Sequence, residues 1–388
     1  MKKIAVLTGT RAEYGLLKPL LGKIEQDIDL ELCLIVTGTH LEKQYGETCR
    51  EIEQDGFHIN YKVKMNLKSD KPDGIVKSMA LELEGLAEVF HKEQLDLLVL
   101  LGDRYEILMA ATCAVVHCVP IAHIHGGELT QGLIDEKIRH AVTKMSAIHF
   151  TSTDTYRNRV IQMGELPQRV FYVGALGVEN IKKIQYFSQE ELTKQFDIPW
   201  GKPIIMVTYH PVVLESDTVE NQFRSLLTVL ERHEEYTYVF TYANADVGGQ
   251  MINQMLEEFV GRHENCKAFA SMGQRGYLSM LNYASAVVGN SSSGIIEAPS
   301  FHIPTVNIGN RQQGRVRAET VIDCGIMEDE IADAFERAIS EEFRNACKKF
   351  SNPYEKNGTA ENILQKIKEY LKDFKNTTKE FYDIGRKQ

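Results

Sequence analysis

One run of this chain is apolar almost throughout, and it restricts the possible folds more than any other stretch does. It spans residues 95–101 and stops at Gly102, after which charged residues follow. A strand that is apolar on both faces has to be covered on both faces, as happens inside a parallel sheet with helices on each side. Other short runs end in the same way, in glycine or polar residues before a helical pattern, at residues 4–7, 30–36, 59–63, 120–125, 149–151, 170–173, 204–209, 238–242, 286–289 and 305–308. The alternation predicts the α/β class with doubly wound parallel sheets.

The predicted strands fall into two sets, and a polar segment with Pro199 and Gly201 separates them. We therefore predict a first Rossmann-like domain over residues 1–175, a linker region over 176–202 and a second Rossmann-like domain over 203–365. Residues 359–372 have an amphipathic helical pattern. We predict a C-terminal segment of helix and tail over residues 366–388, which overlaps the end of this pattern and which we expect to pack back on the first domain. The two domains are expected to face a cleft, because doubly wound sheets bind ligands at the carboxyl ends of their strands.

The charge balance argues against several classes of partner. Lys and Arg number 44 against 54 Asp and Glu, so the net charge is −10, and neither nucleic acid nor an anionic membrane is the expected partner. The seven cysteines are scattered without a C-x-x-C pair, which is typical of free thiols in a reducing compartment and not of a metal site. The chain goes from Lys2 and Lys3 directly into a predicted strand and has no long apolar run. We therefore expect a cytoplasmic protein.

A phosphate-binding turn is predicted where the run at residues 286–289 ends. Residues 290–293 offer small polar side chains and backbone N–H groups where a helix should begin, and Glu297 lies within reach of an attached ribose. The alternative is an ordinary Ser/Asn helix cap. The next predicted strand leads into residues 309–317, which contain three arginines and two glycines. Two successive strand ends, one rich in donors and one cationic, favour a cradle for a diphosphate.

Charged residues follow the strands of the first set as well. Asp103 and Arg104 follow the apolar run, and Glu128 and Asp135 lie on the loop after the next strand. Several carboxylates in one pocket allow one to hold a proton while another accepts one, since like charges separate their pKa values. Asp135 could instead cap a helix that begins near Glu136. Arg11, after the first strand, either binds a phosphate or sugar oxygen or is a surface arginine on a turn.

Three histidines lie at strand ends. His123 and His125 point the same way along one strand, but the sequence supplies no third ligand beside them, so we predict no metal site. His210 precedes Pro211 at the first strand end of the second set, where it either contacts a phosphate and protonates a leaving group or has a structural role.

Taken together, the motifs resemble a known family. They are Gly-Thr-Arg-Ala-Glu-Tyr-Gly at 9–15, Gly-Asp-Arg at 102–104, His-Ile-His-Gly-Gly-Glu at 123–128, Ile-Arg-His-Ala-Val-Thr-Lys at 138–144, His-Pro at 210–211, Gly-Asn-Ser-Ser-Ser-Gly at 289–294 and Arg-Gln-Gln-Gly-Arg at 311–315. In this order they resemble the hydrolysing UDP-N-acetylglucosamine 2-epimerases of sialic acid biosynthesis, over nearly the whole chain. The resemblance implies a two-domain fold of the glycosyltransferase-B type. It also implies conversion of UDP-N-acetylglucosamine and water to N-acetylmannosamine and UDP, through elimination of UDP and hydration of 2-acetamidoglucal. No cofactor is implied, and a homodimer or a tetramer is expected.

The resemblance also assigns roles to residues. The implied nucleotide ligands are Arg11, Arg104, His210, Asn244, Ser291, Ser292, Glu297 and Arg311, with Glu297 at the ribose. Asp103 and Asp135 match catalytic carboxylates of the family. His125 stands where many members have a glutamate, and the loop from Glu128 to Asp135 is one residue longer than in those members. We expect Glu128 and Asp135 to act with Asp103 as the base at C2, with His125 as the alternative base.

Four other functions compete with this one. A non-hydrolysing epimerase would return UDP-N-acetylmannosamine, but its first loop usually has proline where this chain has Ala12. A hydrolysing epimerase could act on UDP-N,N'-diacetylbacillosamine, the precursor of legionaminic acid. A glycosyltransferase of the same fold would need an acceptor surface, against which the net charge of −10 argues mildly. A non-enzymatic nucleotide-sugar sensor would have no need of Asp103 and Asp135 at strand ends.

Overall fold

A computed structural model describes residues 1–67, 71–130, 134–212, 218–243, 248–373 and 378–385. The chain divides into two units, each built around its own sheet. The first comprises Met1–Glu128, Leu133–Asn180 and Lys356–Gln388, and the second comprises Leu129–Gly132 and Ile181–Glu355. The main division therefore falls inside the segment predicted as a linker. The chain returns to the first unit at Lys356, ten residues before the predicted C-terminal segment at 366.

Seven parallel strands form the sheet of the first unit among the described residues, in the order β3-β2-β1-β4-β5-β6-β7. They are β1 (Lys2–Thr8), β2 (Leu30–Val36), β3 (Tyr61–Lys62), β4 (Leu97–Leu101), β5 (Ile121–Ile124), β6 (Ile148–Thr151) and β7 (Val170–Tyr172). The helices are α1 (Arg11–Gln26), α2 (Cys49–Gln54), α3 (Pro72–Lys92), α4 (Tyr105–Val116), α5 (Ile134–Met145), α6 (Asp154–Gln162) and α7 (Leu176–Lys183), which spans the division.

The second unit repeats the design with six parallel strands among its described residues, in the order β10-β9-β8-β11-β12-β13. They are β8 (Ile204–Thr208), β9 (Thr237–Thr241), β10 (Cys266–Phe269), β11 (Ala284–Gly289), β12 (Thr305–Ile308) and β13 (Val321–Cys324). Its helices are α8 (Gln189–Phe196), α9 (Val219–Glu231), α10 (Gly249–Val260), α11 (Gly273–Tyr283), α12 (Ser292–Ile296), α13 (Glu328–Ile339) and α14 (Glu341–Cys347). The prediction of doubly wound parallel sheets is therefore confirmed.

The core of the first unit covers both faces of its sheet, as the apolar run required. Every residue of β4 is buried. Alternate residues of β1 enter different clusters: Ile4 and Val6 pack on the face with α1, whereas Ala5 and Leu7 pack on the face with α3 and α4. This division follows from the two-residue period of a strand, which sends successive side chains to opposite faces.

The last helix, α15 (Thr359–Asp373), belongs wholly to the first unit and packs against α1. Its buried residues recur at helical spacing, at Ala360, Ile363, Leu364, Ile367, Tyr370 and Leu371. Lys368 adds ion pairs to Asp27 at 2.6 Å and Asp29 at 3.0 Å. The end of the chain thus completes the core of the unit that begins it.

Several predicted elements differ from the observed ones. After β2 the chain forms two 3-10 turns, Gly38–Leu41 and Lys43–Tyr45, and the short α2, where the predicted alternation of strands and helices has a single helix. Gly38 and Gly46 have φ of +59° and +88°, which interrupt a helix. Strand β3 is shorter than the predicted residues 59–63, and β10 and β13 were not predicted. None of the described helices is long and apolar enough to cross a membrane.

Candidate active site

Asp103 lies just beyond β4, and a buried arginine from α5 holds it. Arg139 is 2% exposed and forms an ion pair with Asp103, whose side chain is 23% exposed. The same guanidinium donates to the carbonyl of Glu128 at 2.8 Å. Removing one partner of a buried pair costs about 3–5 kcal/mol, so this pair fixes the position of the carboxylate strongly. Arg139 was not among the predicted site residues, although it lies four residues after Asp135 and hence on the same face of the helix.

His125 and Glu128 form a second pair at the end of β5. His125 has φ of +67°, which is uncommon for a residue other than glycine and implies a local cost in energy. Its backbone N–H donates to Phe150 O at 2.8 Å. The carboxylate of Glu128 lies 3.5 Å from His125 Nδ1 and accepts a hydrogen bond of 2.7 Å from Ser152. Glu128 is 4% exposed, so the structure places it behind His125 as a buried carboxylate that can orient the imidazole.

Gly127, between these two residues, is required by close packing. It has φ of +79°, and a Cβ atom at this position would lie 2.6 Å from the carbonyl oxygen of Tyr156 in α6. Its own carbonyl accepts a hydrogen bond from Arg159. The glycine therefore lets the turn after β5 lie directly against α6, which fixes the backbone between His125 and Glu128.

Asp135 lies in the first turn of α5, inside the helix. The alternative of a cap on a helix that begins at Glu136 is therefore wrong, because the helix already includes Ile134 and Asp135. A carboxylate in a first turn still interacts favourably with the helix dipole. Its side chain is partly exposed, in contrast to that of Glu128.

His123 has a structural role, because both of its ring nitrogens are hydrogen-bonded to protein atoms. Nε2 lies 2.8 Å from Gly102 O and Nδ1 lies 3.2 Å from Thr143 Oγ1. A carbonyl only accepts, so Nε2 carries the proton and Nδ1 accepts from the hydroxyl. Burial lowers the pKa of His123 to about 3, so the ring is neutral. It thus ties the residue before Asp103 to α5. Among the described residues, no group of three His, Cys, Asp or Glu side chains is arranged to hold a metal ion.

Three glutamates that sequence reasoning missed meet beneath the loops after β1, β2 and β4. Glu106 Oε2 accepts from Arg104 Nε at 3.3 Å, and Glu13 Oε2 accepts from the backbone N–H of Gly9 at 2.9 Å. Glu82, from the middle of α3, is fully buried. Burial, together with repulsion by Glu106, raises the pKa of Glu82 to about 9 and that of Glu13 to about 7.

This acidic cluster (Glu13, Glu82 and Glu106) supports two of the predicted nucleotide ligands. Arg104 is oriented by Glu106, and Glu13 holds the turn that precedes Arg11. Arg11 itself is the first residue of α1 and pairs with Glu51 at 3.2 Å, with 45% of each side chain exposed. An exposed pair of this kind contributes little to stability, so Arg11 can exchange its partner for a ligand at small cost.

In the second unit, Asn290 joins the ends of β8 and β11. Its side chain accepts from the N–H of His210 at 2.7 Å and donates to the carbonyl of His210 at 2.8 Å. Gly289, just before it, has φ of +134°, and an added Cβ would collide with the carbonyl of Thr208. The backbone of His210 is therefore held rigidly beside the serine-rich turn.

The arginine-rich loop meets the same residue. Arg311 Nη1 and Gln312 Nε2 both donate to the carbonyl of Asn290, at 3.2 and 2.8 Å. Ser291 caps α12 by accepting from the N–H of Ser293, and Ser292 is the first helical residue. Because α12 contains only five residues, its macrodipole is small, and the charge near this turn comes mainly from Arg311.

The pKa values of His210 and Glu297, in the second unit, are shifted from their ordinary values. Burial, with a contribution from the nearby Arg311, lowers the pKa of His210 to about 3, so its ring is neutral. The carboxylate of Glu297 is enclosed by protein although part of the side chain reaches the surface, and this desolvation raises its pKa. Tyr277, which sequence reasoning missed, donates to Ser293 at 2.9 Å. Asn244 lies outside the described residues.

The structure thus assembles the predicted site residues in two groups, one in each unit. Asp103, His125 and Glu128 meet through Arg139 and Ser152 in the first unit, and His210, Ser291 and Arg311 meet around Asn290 in the second. The residues that join each group are fully buried polar side chains, which a sequence alone does not distinguish from core or surface positions.

Known proteins resemble this chain over most of its length. The profile of a family described as UDP-N-acetylglucosamine 2-epimerase matches residues 22–368. The chain is 38% identical over 388 residues to polysialic acid biosynthesis protein P7 of Escherichia coli, covering 99% of this chain and 98% of that protein. It is 39% identical over 345 residues to a hydrolysing GDP/UDP-N,N'-diacetylbacillosamine 2-epimerase of Campylobacter jejuni, covering 88% and 89%.

A solved structure matches as well. The Neisseria meningitidis UDP-GlcNAc 2-epimerase, bound to UDP-GlcNAc, superposes with a TM-score of 0.72 at 17% identity, covering 95% of this chain and all of that one. At this identity the likeness concerns the fold, and it confirms the two-domain, glycosyltransferase-B-like α/β architecture.

Proposed function

The chain belongs to the UDP-N-acetylglucosamine 2-epimerase family, and from that premise we propose that it converts UDP-N-acetylglucosamine and water to N-acetylmannosamine and UDP. The product is the precursor from which sialic acid for a surface polysaccharide is made. One relative in the comparison is named for polysialic acid biosynthesis and another as a hydrolysing 2-epimerase. Both cover most of this chain, which supports hydrolytic epimerisation as the general reaction.

The observation that carries the proposal is the joined charge network in the first unit. A reaction that removes the weakly acidic C2 proton of a sugar needs a positioned base and a second group to return the proton. Asp103 is held by Arg139, and Arg139 also holds the backbone of Glu128, whose carboxylate meets His125. Asp103, Glu128 and His125 are therefore joined in one network of contacts through Arg139.

We assign the C2 base to His125. Glu128 is buried and engaged by Ser152, so it is better placed to orient a neighbour than to reach a substrate. A carboxylate at Nδ1 favours the tautomer with the proton on that nitrogen, so Nε2 is the nitrogen that accepts a proton in this assignment. When water adds to C1, the water proton is passed to C2 through the carboxylates of Asp103 and Asp135. This assignment differs from the expectation from sequence, in which Glu128 and Asp135 acted with Asp103 as the base.

The second unit supplies the nucleotide ligands in this account. Arg311, the N–H groups of residues 291–293 and the neutral His210 donate to the diphosphate, and Glu297 binds the ribose. Binding of a diphosphate beside His210 would oppose the lowered pKa, since an anion favours the imidazolium. His210 can then give a proton to UDP as it leaves. The roles of Arg11 and Arg104 as nucleotide ligands remain predictions from the family resemblance.

The decisive experiment follows the products by NMR. The purified protein incubated with UDP-N-acetylglucosamine should release free N-acetylmannosamine and UDP in equal amounts. Accumulation of UDP-N-acetylmannosamine would identify a non-hydrolysing epimerase, and transfer of the sugar to an acceptor would identify a glycosyltransferase. Binding of UDP-N-acetylglucosamine without formation of any product would indicate a non-enzymatic nucleotide-sugar sensor.

A second substrate is favoured by one specific observation. The relative from Campylobacter jejuni is named for UDP-N,N'-diacetylbacillosamine and is as similar as the polysialic acid protein, at 39% against 38% identity. The two substrates differ at C4 and C6 of the sugar. The ratio of kcat/KM for the two compounds decides between them, and a ratio above about 100 in favour of either assigns the substrate.

We also propose a homodimer. Four apolar side chains of the adjacent helices α3 and α4 are exposed, with Val76 at 63%, Leu81 at 41%, Val115 at 49% and Val116 at 75%. Burial of exposed apolar side chains favours association of two chains. Light scattering should give twice the mass of one 44.0 kDa chain, and Val116→Lys should lower it.

A further inference from the structure

The residues at the end of the chain lie against the C-terminal end of α5. The segment 378–385 follows α15, and Lys379 Nζ donates to the carbonyls of Lys144 and Ser146, at 2.7 Å each. Lys144 lies in the last turn of α5 and Ser146 directly follows the helix, where carbonyls have no partner within the helix. A cation at this end also interacts favourably with the helix dipole. Lys379 thus acts as a C-cap supplied by a distant part of the chain.

A buried carboxylate anchors the same lysine. Glu165, 2% exposed, pairs with Lys379 at 2.8 Å, Lys144 at 2.6 Å and His149 at 2.8 Å. Burial alone would raise the pKa of Glu165, but the hydrogen bonds from His149, Lys144 and Lys379 outweigh it and lower the pKa to about 2. The backbone N–H of Tyr382 donates to Gly164 O at 2.9 Å, and Lys144 Nζ lies 4.8 Å from the centre of the Phe381 ring. The segment is therefore held at several points.

Helix α5, whose C-terminal end Lys379 contacts, positions reacting groups of the proposed function. Asp135 lies in its first turn, and Arg139, in the next turn, pairs with Asp103. From Arg139 to Lys144 the helix advances only about 7.5 Å. A rigid helix transmits the position of its last turn to the guanidinium, whereas a frayed last turn lets the helix shift. Productive proton transfer tolerates little displacement, because a misplacement of about 1 Å can cost 10²-fold in rate.

We propose that residues 378–385 form a strap that positions α5, with Lys379 as its positioning residue for the epimerase reaction. Lys379 touches neither the substrate nor the reacting groups, and acts through α5 and Arg139. The inference rests on the proposed function for its kinetic consequence. Its structural consequence, the ordering of α5, is independent of that function.

The test compares Lys379→Met, which keeps the length but removes the charge, with Lys379→Arg, which restores it. The control is Lys366→Met, since Lys366 pairs with Glu369 on the surface of α15. We expect Lys379→Met to lower kcat about three- to tenfold, with the Kd for UDP changed less than twofold. Hydrogen exchange of the amides of residues 138–145 should accelerate at least tenfold. Lys379→Arg should recover most of both properties, and Lys366→Met should resemble the wild type.

Two results would contradict the proposal that the strap positions α5. One is unchanged exchange in α5 of Lys379→Met. The other is faster exchange with an unchanged kcat, which would show that the helix is capped but that its position is immaterial. If the wild type has no activity on either UDP-sugar, the proposed function fails. The exchange measurement then still decides whether the segment orders α5.

Discussion

Asp103 and the buried Arg139 form the pair on which proton transfer depends in our account. Asp103→Asn keeps the shape and an acceptor for Arg139 but removes the charge and the exchangeable proton. We expect kcat to fall at least 10²-fold, the usual contribution of a positioned acid or base, while UDP still binds. Asp96→Asn is the matched control, because Asp96 lies outside the candidate site and contacts Lys2 and the backbone N–H of Lys3. If Asp103→Asn keeps more than about a tenth of wild-type kcat, Asp103 is not an acid/base group.

The identity of the C2 base is decided by three further variants. We expect His125→Ala to lose the exchange of the C2 proton with solvent deuterium, by about 10² or more. Asp135→Asn should still eliminate UDP and should accumulate 2-acetamidoglucal, because the return of the proton is impaired. Glu128→Gln should be intermediate, since an amide can still contact the imidazole. Exchange that survives in His125→Ala but vanishes in the carboxylate variants would restore the assignment expected from sequence.

A substitution of Arg311 tests the predicted nucleotide ligands of the second unit separately from the residues of the first unit. We expect Arg311→Ala to weaken UDP binding by about 1.5–3 kcal/mol, the cost of a charge-assisted hydrogen bond. Calorimetry measures the change, and Arg224→Ala serves as the control because Arg224 forms an exposed pair with Glu220 in the same unit. Equal affinities for UDP in the wild type and Arg311→Ala would remove the loop from the nucleotide site.

Sequence reasoning located most of these residues but not what joins them. Asp103, His125 and Ser291 could be found because each follows an apolar run, and strand ends of one parallel sheet share an edge. Arg139 lies 36 residues from Asp103 in the chain, and Glu82 resembles any charged position of a long helix. Burial of such side chains depends on how helices pack against the sheet, which local pattern does not encode.

At the scale of elements, the central strands were predictable, whereas two of the four edge strands of the described sheets, β10 and β13, were not, and β3 was predicted too long. The run that became β4 is apolar because neighbours and helices cover it completely. Strands β3, β10 and β13 lie at sheet edges, with mixed burial and polar residues such as Lys62, Lys267 and Asp323. An edge strand has one neighbour and partial cover, so its sequence carries a weak periodic signal.

A substitution of Glu82 in α3 tests the acidic cluster through the free energy of unfolding. The pKa of Glu82 is about 9 in the folded protein against an ordinary value of 4.5, so the unfolded chain ionises first as pH rises. The stability contributed by the protonated group is complete below pH 4.5 and is lost progressively up to about pH 9, by at most about 1.4 kcal/mol per pH unit. Glu82→Gln cannot ionise and should escape this loss.

We therefore expect Glu82→Gln to match the wild type near pH 5 and to be more stable by about 1–4 kcal/mol at pH 8, in denaturant unfolding. Glu84→Gln is the control, because Glu84 lies two residues further along α3 and is exposed. A difference that is the same at both pH values would show that Glu82 does not take up a proton on folding.

At the scale of the whole molecule, the two units share one design, and the fold class followed from the alternation of strands and helices alone. What composition and alternation could not supply is the chemistry, because doubly wound sheets carry many unrelated activities. The motifs at strand ends narrowed the activity to one family, and the family profile over residues 22–368 supports that choice. The central claim is that UDP leaves by elimination, with cleavage of the bond between C1 and oxygen.

Isotopic labelling tests this claim most directly. The reaction is run with UDP-N-acetylglucosamine in ²H₂O enriched in ¹⁸O, and the products are examined by mass spectrometry and NMR. Elimination and hydration predict one deuterium at C2 of the released N-acetylmannosamine and no ¹⁸O in UDP. Release of UDP that contains ¹⁸O, or of a sugar that keeps its original C2 hydrogen, would contradict the account.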